Sequence, residues 1–137
     1  MDLELVGKLA LVTGSTAGIG LAIASGLARE GARVIVNGRT ESRVDEAQRT
    51  IRAAHPTAAV ETFAGDLSRV DTASALVKRF ESVDILVNNL GTYEVKPFEE
   101  LTDDDWRGII ETNFMSGLRF SRHYLPRMKQ AGWGRII

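Results

Sequence analysis

The chain has 137 residues, 44% of them hydrophobic, a formal net charge of −1 and no cysteine. That length fits one domain able to bury roughly two-thirds of its unfolded surface. The near-neutral charge argues against a nucleic-acid face or a membrane-seeking surface, and the missing cysteines remove disulfides, thiolate metal sites and a cysteine nucleophile. No apolar run approaches the ~18 residues of a membrane span. The acidic start Met1-Asp2-Leu3-Glu4 lacks a signal-peptide layout, so a cytoplasmic domain over residues 1–137 is expected.

The first predicted element is the strand Leu9-Ala10-Leu11-Val12. It is followed at once by Thr13-Gly14-Ser15-Thr16-Ala17-Gly18-Ile19-Gly20, which runs into a helical stretch from Ile19 to Leu27. Strand, glycine-rich turn and helix start thus lie end to end. Backbone N–H groups and a helix N-terminus cradle a phosphate in that arrangement. Gly14 permits the sharp turn off the strand, while Gly18 and Gly20 remove side chains where a diphosphate and the helix–strand contact need close approach.

Further short apolar runs at Val34–Val36, Ala58–Phe63 and Ile85–Val87 read as strands buried on both faces. Helical spacing fills the gaps. Ile19, Ala22, Ile23, Gly26 and Leu27 share one face, as do Val44, Ala47, Ile51 and Ala54, and then Val70, Ala73, Leu76, Val77 and Phe80. Breaks fall at Gly31, His55-Pro56 and Ser82. The pattern predicts a doubly wound parallel α/β sheet, the Rossmann arrangement, joined by right-handed crossovers.

After the fourth strand, Thr102 precedes Asp103-Asp104-Asp105, as a helix cap followed by carboxylates in a positive first turn. No histidine stands nearby, so these carboxylates are not expected to bind metal. His55 and His123 likewise lack ligand partners, and no metal site is expected. The helix continues through Phe114, Leu118, Phe120, Leu125 and Met128, with Asn113 as a point of local distortion. Pro126 is expected to bend or shorten it, and Gly132 and Gly134 to end it. Trp106 and Phe114 read as core or as a helix-to-helix dimer surface. A last β-like run, Arg135-Ile136-Ile137, stands at the end of the chain.

These motifs together resemble the short-chain dehydrogenase/reductase family. Its cofactor motif T-G-x-x-x-G-x-G matches Thr13 to Gly20. Its N-N-A-G signature after the fourth strand appears as Asn88-Asn89-Leu90-Gly91, with leucine in place of alanine. Asp66-Leu67 stands where the family holds the adenine edge. Asn113, within Glu111-Thr112-Asn113-Phe114, matches the family's catalytic asparagine, and Gly134-Arg135-Ile136-Ile137 matches the entry to its fifth strand. The resemblance implies cofactor contacts at Gly14, Ser15, Thr16, Gly18, Ile19, Gly20, Arg39, Asp66, Leu67, Asn89, Leu90 and Gly91. It implies hydride transfer between a nicotinamide and a small alcohol or ketone, and a homo-oligomer in the full-length protein.

Charge bears on which dinucleotide is bound. An acidic residue about 20 positions past the glycine turn would bond the ribose 2′-OH of NAD(H). The second strand ends instead in Asn37-Gly38-Arg39, and a guanidinium there can pair with a 2′-phosphate. NADP(H) is therefore expected over NAD(H).

The family's proton-transfer pair, Tyr-x-x-x-Lys with a preceding serine, belongs after the fifth strand. Tyr124 is followed four residues on by Met128, and Tyr93 by Pro97, so neither substitutes. The fold is thus expected to be truncated after the start of strand 5, leaving the edge beyond strand 4 bare. Two readings follow: the cofactor-binding half of an NADP(H)-dependent oxidoreductase, inactive by itself, or a non-catalytic nucleotide-binding or interaction module. A methyltransferase with a similar sheet is weaker, because Asn37-Gly38-Arg39 lacks the acidic residue that would bind ribose hydroxyls.

Overall fold

The computed structural model of the protein describes residues 2–137. Strands β1 (Leu9–Val12), β2 (Arg33–Gly38), β3 (Val60–Ala64), β4 (Ile85–Val87) and β5 (Arg135–Ile136) form one parallel sheet, ordered β3-β2-β1-β4-β5. Helices α1 (Gly18–Arg29), α2 (Glu41–Ala54), α3 (Val70–Arg79), α4 (Asp103–Ile110) and α5 (Ser116–Ala131) cover it. The winding reverses between β1 and β4, which opens a crevice past the carboxyl ends of these strands.

The alternation of side chains along each strand feeds two cores. Ala10, Val12, Val34, Val36, Ile85 and Val87 pack with Ala24 and Ala28 of α1 and with Ala47 and Ile51 of α2. Leu11, Ile35 and Leu86 point the other way, onto Leu76, Phe80, Phe120 and Tyr124. Leu11, Ile35 and Leu86 are each 0% exposed, and each stabilises the fold by roughly 1.5–3 kcal/mol.

Several local expectations change. β2 is longer than Val34–Val36, and β3 starts at Val60 rather than Ala58, because Ala58 N–H bonds the His55 carbonyl at 2.9 Å and closes a turn. The edge of β4 is not bare. β5 pairs Arg135 with Ile85 and Ile136 with Leu86, and Ile137 exchanges bonds with Leu86 and Asn88. α1 is rotated from the predicted face: Ile23 and Leu27 pack against the core as expected, but the fully buried stripe is Gly20, Ala24 and Ala28, with Ile19 76% exposed and Ala22 also outside. Small residues let the helix approach the sheet closely, so they outcompete larger ones for the contact line. Ala54 and Val70, at the last position of α2 and the first of α3, are exposed as well.

α5 runs through Pro126 and ends at Gly132, whose left-handed φ of +73° lets Gly132 and Trp133 N–H bond Lys129 and Met128 carbonyls. Arg122 and Pro126 both lie at the surface, so the carbonyl that proline leaves without its helical partner is on the solvent side of the helix. Trp106 and Phe114 are not core: they are exposed along a stripe with Ile110, Leu118 and Leu125. Tyr124 is fully buried, its hydroxyl donating to the Phe80 carbonyl at 2.8 Å. Burial pushes its phenol well above the ordinary tyrosine range, so it is a core anchor and not a proton donor. Among the described residues, no helix is long and apolar enough to cross a membrane.

Candidate functional site

The crevice holds a cavity of about 350 Å³, lined from the glycine turn by Gly14, Thr16 and Ala17, from the end of β2 by Asn37 to Arg39, and from the end of β4 by Leu90 to Thr92. Gly65 to Ser68, Arg43 and Thr112 complete the wall. That volume lies within the roughly 300–1,000 Å³ range of ligand pockets.

The glycine turn is held from three sides. Gly14, with φ +60°, donates its N–H to Asn37 Oδ1 at 3.0 Å. Ser15 Oγ donates to the Val12 carbonyl at 2.6 Å and accepts from Asn37 N–H at 3.0 Å. Asn89 Nδ2 donates to the carbonyls of Thr13 and Gly14, while Thr13 Oγ1 accepts from the N–H groups of Asn89 and Leu90. A Cβ on Gly20 would stand 2.5 Å from both Asn89 Nδ2 and the Gly14 carbonyl oxygen. Only glycine lets the first turn of α1 seat against this framework.

With the turn so fixed, its remaining donors are free. Among the described residues, the N–H groups of Thr16, Ala17, Gly18, Ile19 and Gly20 meet no protein acceptor, and Ala17 supplies no capping side chain. An anion at the positive end of α1 satisfies such groups. The donor set and the cavity therefore fit the diphosphate of a dinucleotide.

The predicted site residues divide. Gly14, Thr16, Arg39, Asp66, Leu67, Leu90 and Gly91 line the cavity. Ser15, Gly18, Ile19, Gly20 and Asn89 do not line it. Ser15 is 0% exposed and faces inward, and Asn89 acts as a strut between β4 and the turn. Asp66 Oδ1 accepts from Ser68 N–H and Oγ at 3.0 and 2.7 Å.

Asn113 sits in a π-turn, Glu111–Met115, between α4 and α5. Its Oδ1 accepts from Thr92 N–H at 2.6 Å and its Nδ2 donates to the Thr92 carbonyl at 2.7 Å. The distortion turns this amide out of the helix to pin the loop that follows β4.

Sequence reasoning missed Asn37, Arg43, Gly65, Ser68 and Thr112. Asn37 had a signal: a polar residue closing an apolar strand must find partners. It is 1% exposed, and its Nδ2 donates to the carbonyls of Phe63 and Gly65, each at 3.1 Å. Arg43 had one too, standing four residues after Arg39.

The model of the short chain dehydrogenase family matches residues 8–137. The chain is 48% identical over its whole length to the uncharacterized oxidoreductase YvrD of Bacillus subtilis, covering 52% of that protein. It is 42% identical over 96% of its length to a D-beta-hydroxybutyrate dehydrogenase of Cupriavidus necator, again covering 52% of it. The solved L-sorbose reductase of Gluconobacter frateurii, complexed with NADPH and L-sorbose, superposes with a TM-score of 0.91 at 36% identity, over 99% of this chain and 53% of that one. The chain thus spans about half the length of the relatives it matches. A sequence match of this extent on the same framework of strand, turn and helix leads to one conclusion: the chain belongs to the short-chain dehydrogenase family.

Proposed function

We propose that the chain is the cofactor-binding half of an NADP(H)-dependent oxidoreductase acting between a small alcohol and its ketone. The observation that carries this reading is the position of Arg39 on the wall of the cavity that also joins the glycine turn, Asp66-Leu67 and Leu90-Gly91. Two similar structures contain the phosphorylated coenzyme, an L-sorbose reductase with NADPH and a 3-oxoacyl (acyl-carrier-protein) reductase with NADP.

In this reading the unpaired N–H groups of the glycine turn hold the diphosphate, Thr16 and Ala17 from the cavity wall, and Asp66 and Leu67 border the adenine. Arg39 pairs with the 2′-phosphate. The bound coenzyme supplies or accepts the hydride. Asn113 is a positioning residue: its two bonds to Thr92 set the loop that starts the substrate side of the crevice. The proton-transfer residues of the reaction lie outside these 137 residues, so the isolated chain binds coenzyme and does not turn it over.

Titration of the chain with NADPH and NADH tests the assignment. Arg39→Asp is expected to weaken NADPH and spare NADH; unchanged NADPH affinity would refute the role of Arg39. Measurable NADPH-dependent ketone reduction by the isolated chain would refute its inactivity.

The apolar stripe Trp106, Ile110, Phe114, Leu118 and Leu125 is assigned to a second copy of the chain. Arg122, Arg127 and Lys129 lie at one end, and Asp103 and Asp104, which also pair with Arg107, at the other. An antiparallel copy brings these ends together.

A further inference from the structure

We propose that the groove between α3 and α5 is a binding site for a medium-chain carboxylate, separate from the coenzyme crevice.

The two helices pack without filling the space between them. On α3 the groove is lined by Val70, Ala73, Ser74 and Val77, and on α5 by Phe120 and three basic side chains. Ala73 and Ser74 are too small to close the gap, which leaves a cavity of about 300 Å³. That volume stands at the lower end of the range for ligand pockets. None of its lining residues belongs to the coenzyme cavity. The helices are fastened where α3 ends. The Tyr124 hydroxyl donates to the Phe80 carbonyl at 2.8 Å, and His123 Nε2–H donates to the Glu81 carbonyl at 3.1 Å. A ligand therefore meets a preformed site, which reduces the ordering cost of binding.

Polarity in the groove is divided. Ala73 and Phe120, only 5% and 1% exposed, form an apolar floor with Val77. Arg119, Arg122 and His123 stand along the α5 wall, and no carboxylate lines the cavity. Asp71, beside the Val70 end, is taken by Arg69 at 3.0 Å. An apolar tail gains by leaving water for the floor, while a negative head meets the wall.

The number of open cations selects the head. Arg119 is held by Glu111 of the π-turn, and His123 commits a ring nitrogen to Glu81. Among the described residues, Arg122 forms neither an ion pair nor a side-chain hydrogen bond. In the antiparallel pair, Arg127 and Lys129 remain to meet Asp103 and Asp104, which leaves Arg122 to the groove. One open guanidinium matches one carboxylate through two parallel bonds. A phosphate monoester, at about −1.5 to −2 charges, would stay half-neutralised there.

Titration calorimetry of the chain with octanoate, acetate and 1-octanol tests the site. Octanoate is expected to bind about tenfold or more tighter than acetate, which lacks the tail, or 1-octanol, which lacks the charge. Arg122→Ala is expected to weaken octanoate about fivefold, the value of a partly exposed charge pair, and to leave 1-octanol within about twofold. Arg122→Lys keeps the charge and recovers part of the loss. Ser74→Phe fills the groove and is expected to weaken octanoate about tenfold or more. Both positions are exposed, and a circular dichroism spectrum and urea midpoint equal to wild type show that the variants fold. Octanoate affinity unchanged in either Arg122→Ala or Ser74→Phe overturns the site, as does displacement of octanoate by NADP+. Octanoate that fails to bind, or binds no tighter than acetate or 1-octanol, overturns the ligand class.

Discussion

Replacing Asn37 by alanine tests the idea that one buried amide assembles the coenzyme crevice. Asn37 joins three segments through three side-chain bonds, to Gly14 N–H, the Phe63 carbonyl and the Gly65 carbonyl. A buried bond contributes about 0.5–1.5 kcal/mol net, and a stranded partner costs about 1–3 kcal/mol. The side chain borders the cavity, so water reaches some of the stranded groups and the cost falls in the lower part of that range. Arg39 and the glycine turn should loosen together, with a total loss of about 2–4 kcal/mol. Against a typical stability of about 5–15 kcal/mol, that is a large fraction. Urea unfolding followed by tryptophan fluorescence reads it, because Trp133 packs against the α1–α2 core. A midpoint lowered by about 1–2 M is expected for a urea slope of about 2 kcal/mol/M. Asn37→Asp keeps an acceptor for Gly14 but sets a carboxylate against two carbonyls, and should be at least as damaging at neutral pH. A midpoint within about 0.3 M of wild type for either variant would refute the reasoning.

Other expectations follow from the same geometry. Gly20→Ala places a Cβ against the Gly14 carbonyl and should lower stability by about 1–3 kcal/mol while abolishing coenzyme binding; urea unfolding and calorimetry on one sample check both. Asn113→Ala frees Thr92, so hydrogen exchange at the Thr92 amide should speed up while amides of β1 and β2 stay protected. Asp105 is held below the ordinary carboxylate range first by the Thr102 N–H and then by Lys96 and the Thr102 hydroxyl. Its contribution is present above the unfolded value of about 3.9 and is lost as pH falls through the lower folded value. Loosening of the α4 start in acid should therefore be seen by amide exchange at Thr102 in the wild type and be absent from Asp105→Ala, which lacks the bond at every pH. Phe114→Glu in the centre of the exposed stripe should shift the chain toward monomer in sedimentation; an unchanged distribution would count against the antiparallel pair.

Much of the fold was legible because its signals are local. Apolar runs too short for helices and buried on both faces gave β1 and β4 their bounds, and the turn from Thr13 to Gly20 announced itself by glycine spacing after a strand. The helix faces were less legible. Apolar spacing placed Ile19 on the buried side of α1, yet Gly20, Ala24 and Ala28 took the centre of the contact, flanked by Leu21, Ile23 and Leu27, because small residues let the helix approach the sheet closely. Trp106 and Phe114 carry the composition of a core and lie outside it: Trp106 meets the exposed Phe98 ring edge-on, and Phe114 stays 64% exposed.

By itself the sequence determined the order of elements, the parallel winding, the glycine turn and the arginine at the end of β2, all set by residues within a few positions of each other. The tertiary structure decided what those residues do. Ser15 and Asn89, expected as coenzyme contacts, also brace the turn from inside, and Asn37 anchors it, through partners that lie 22 to 76 positions away. Arg43, an ordinary helix residue in the sequence, joined Arg39 on one wall once β2 and α2 were folded. Such convergence depends on where the chain returns in space, which no local pattern encodes.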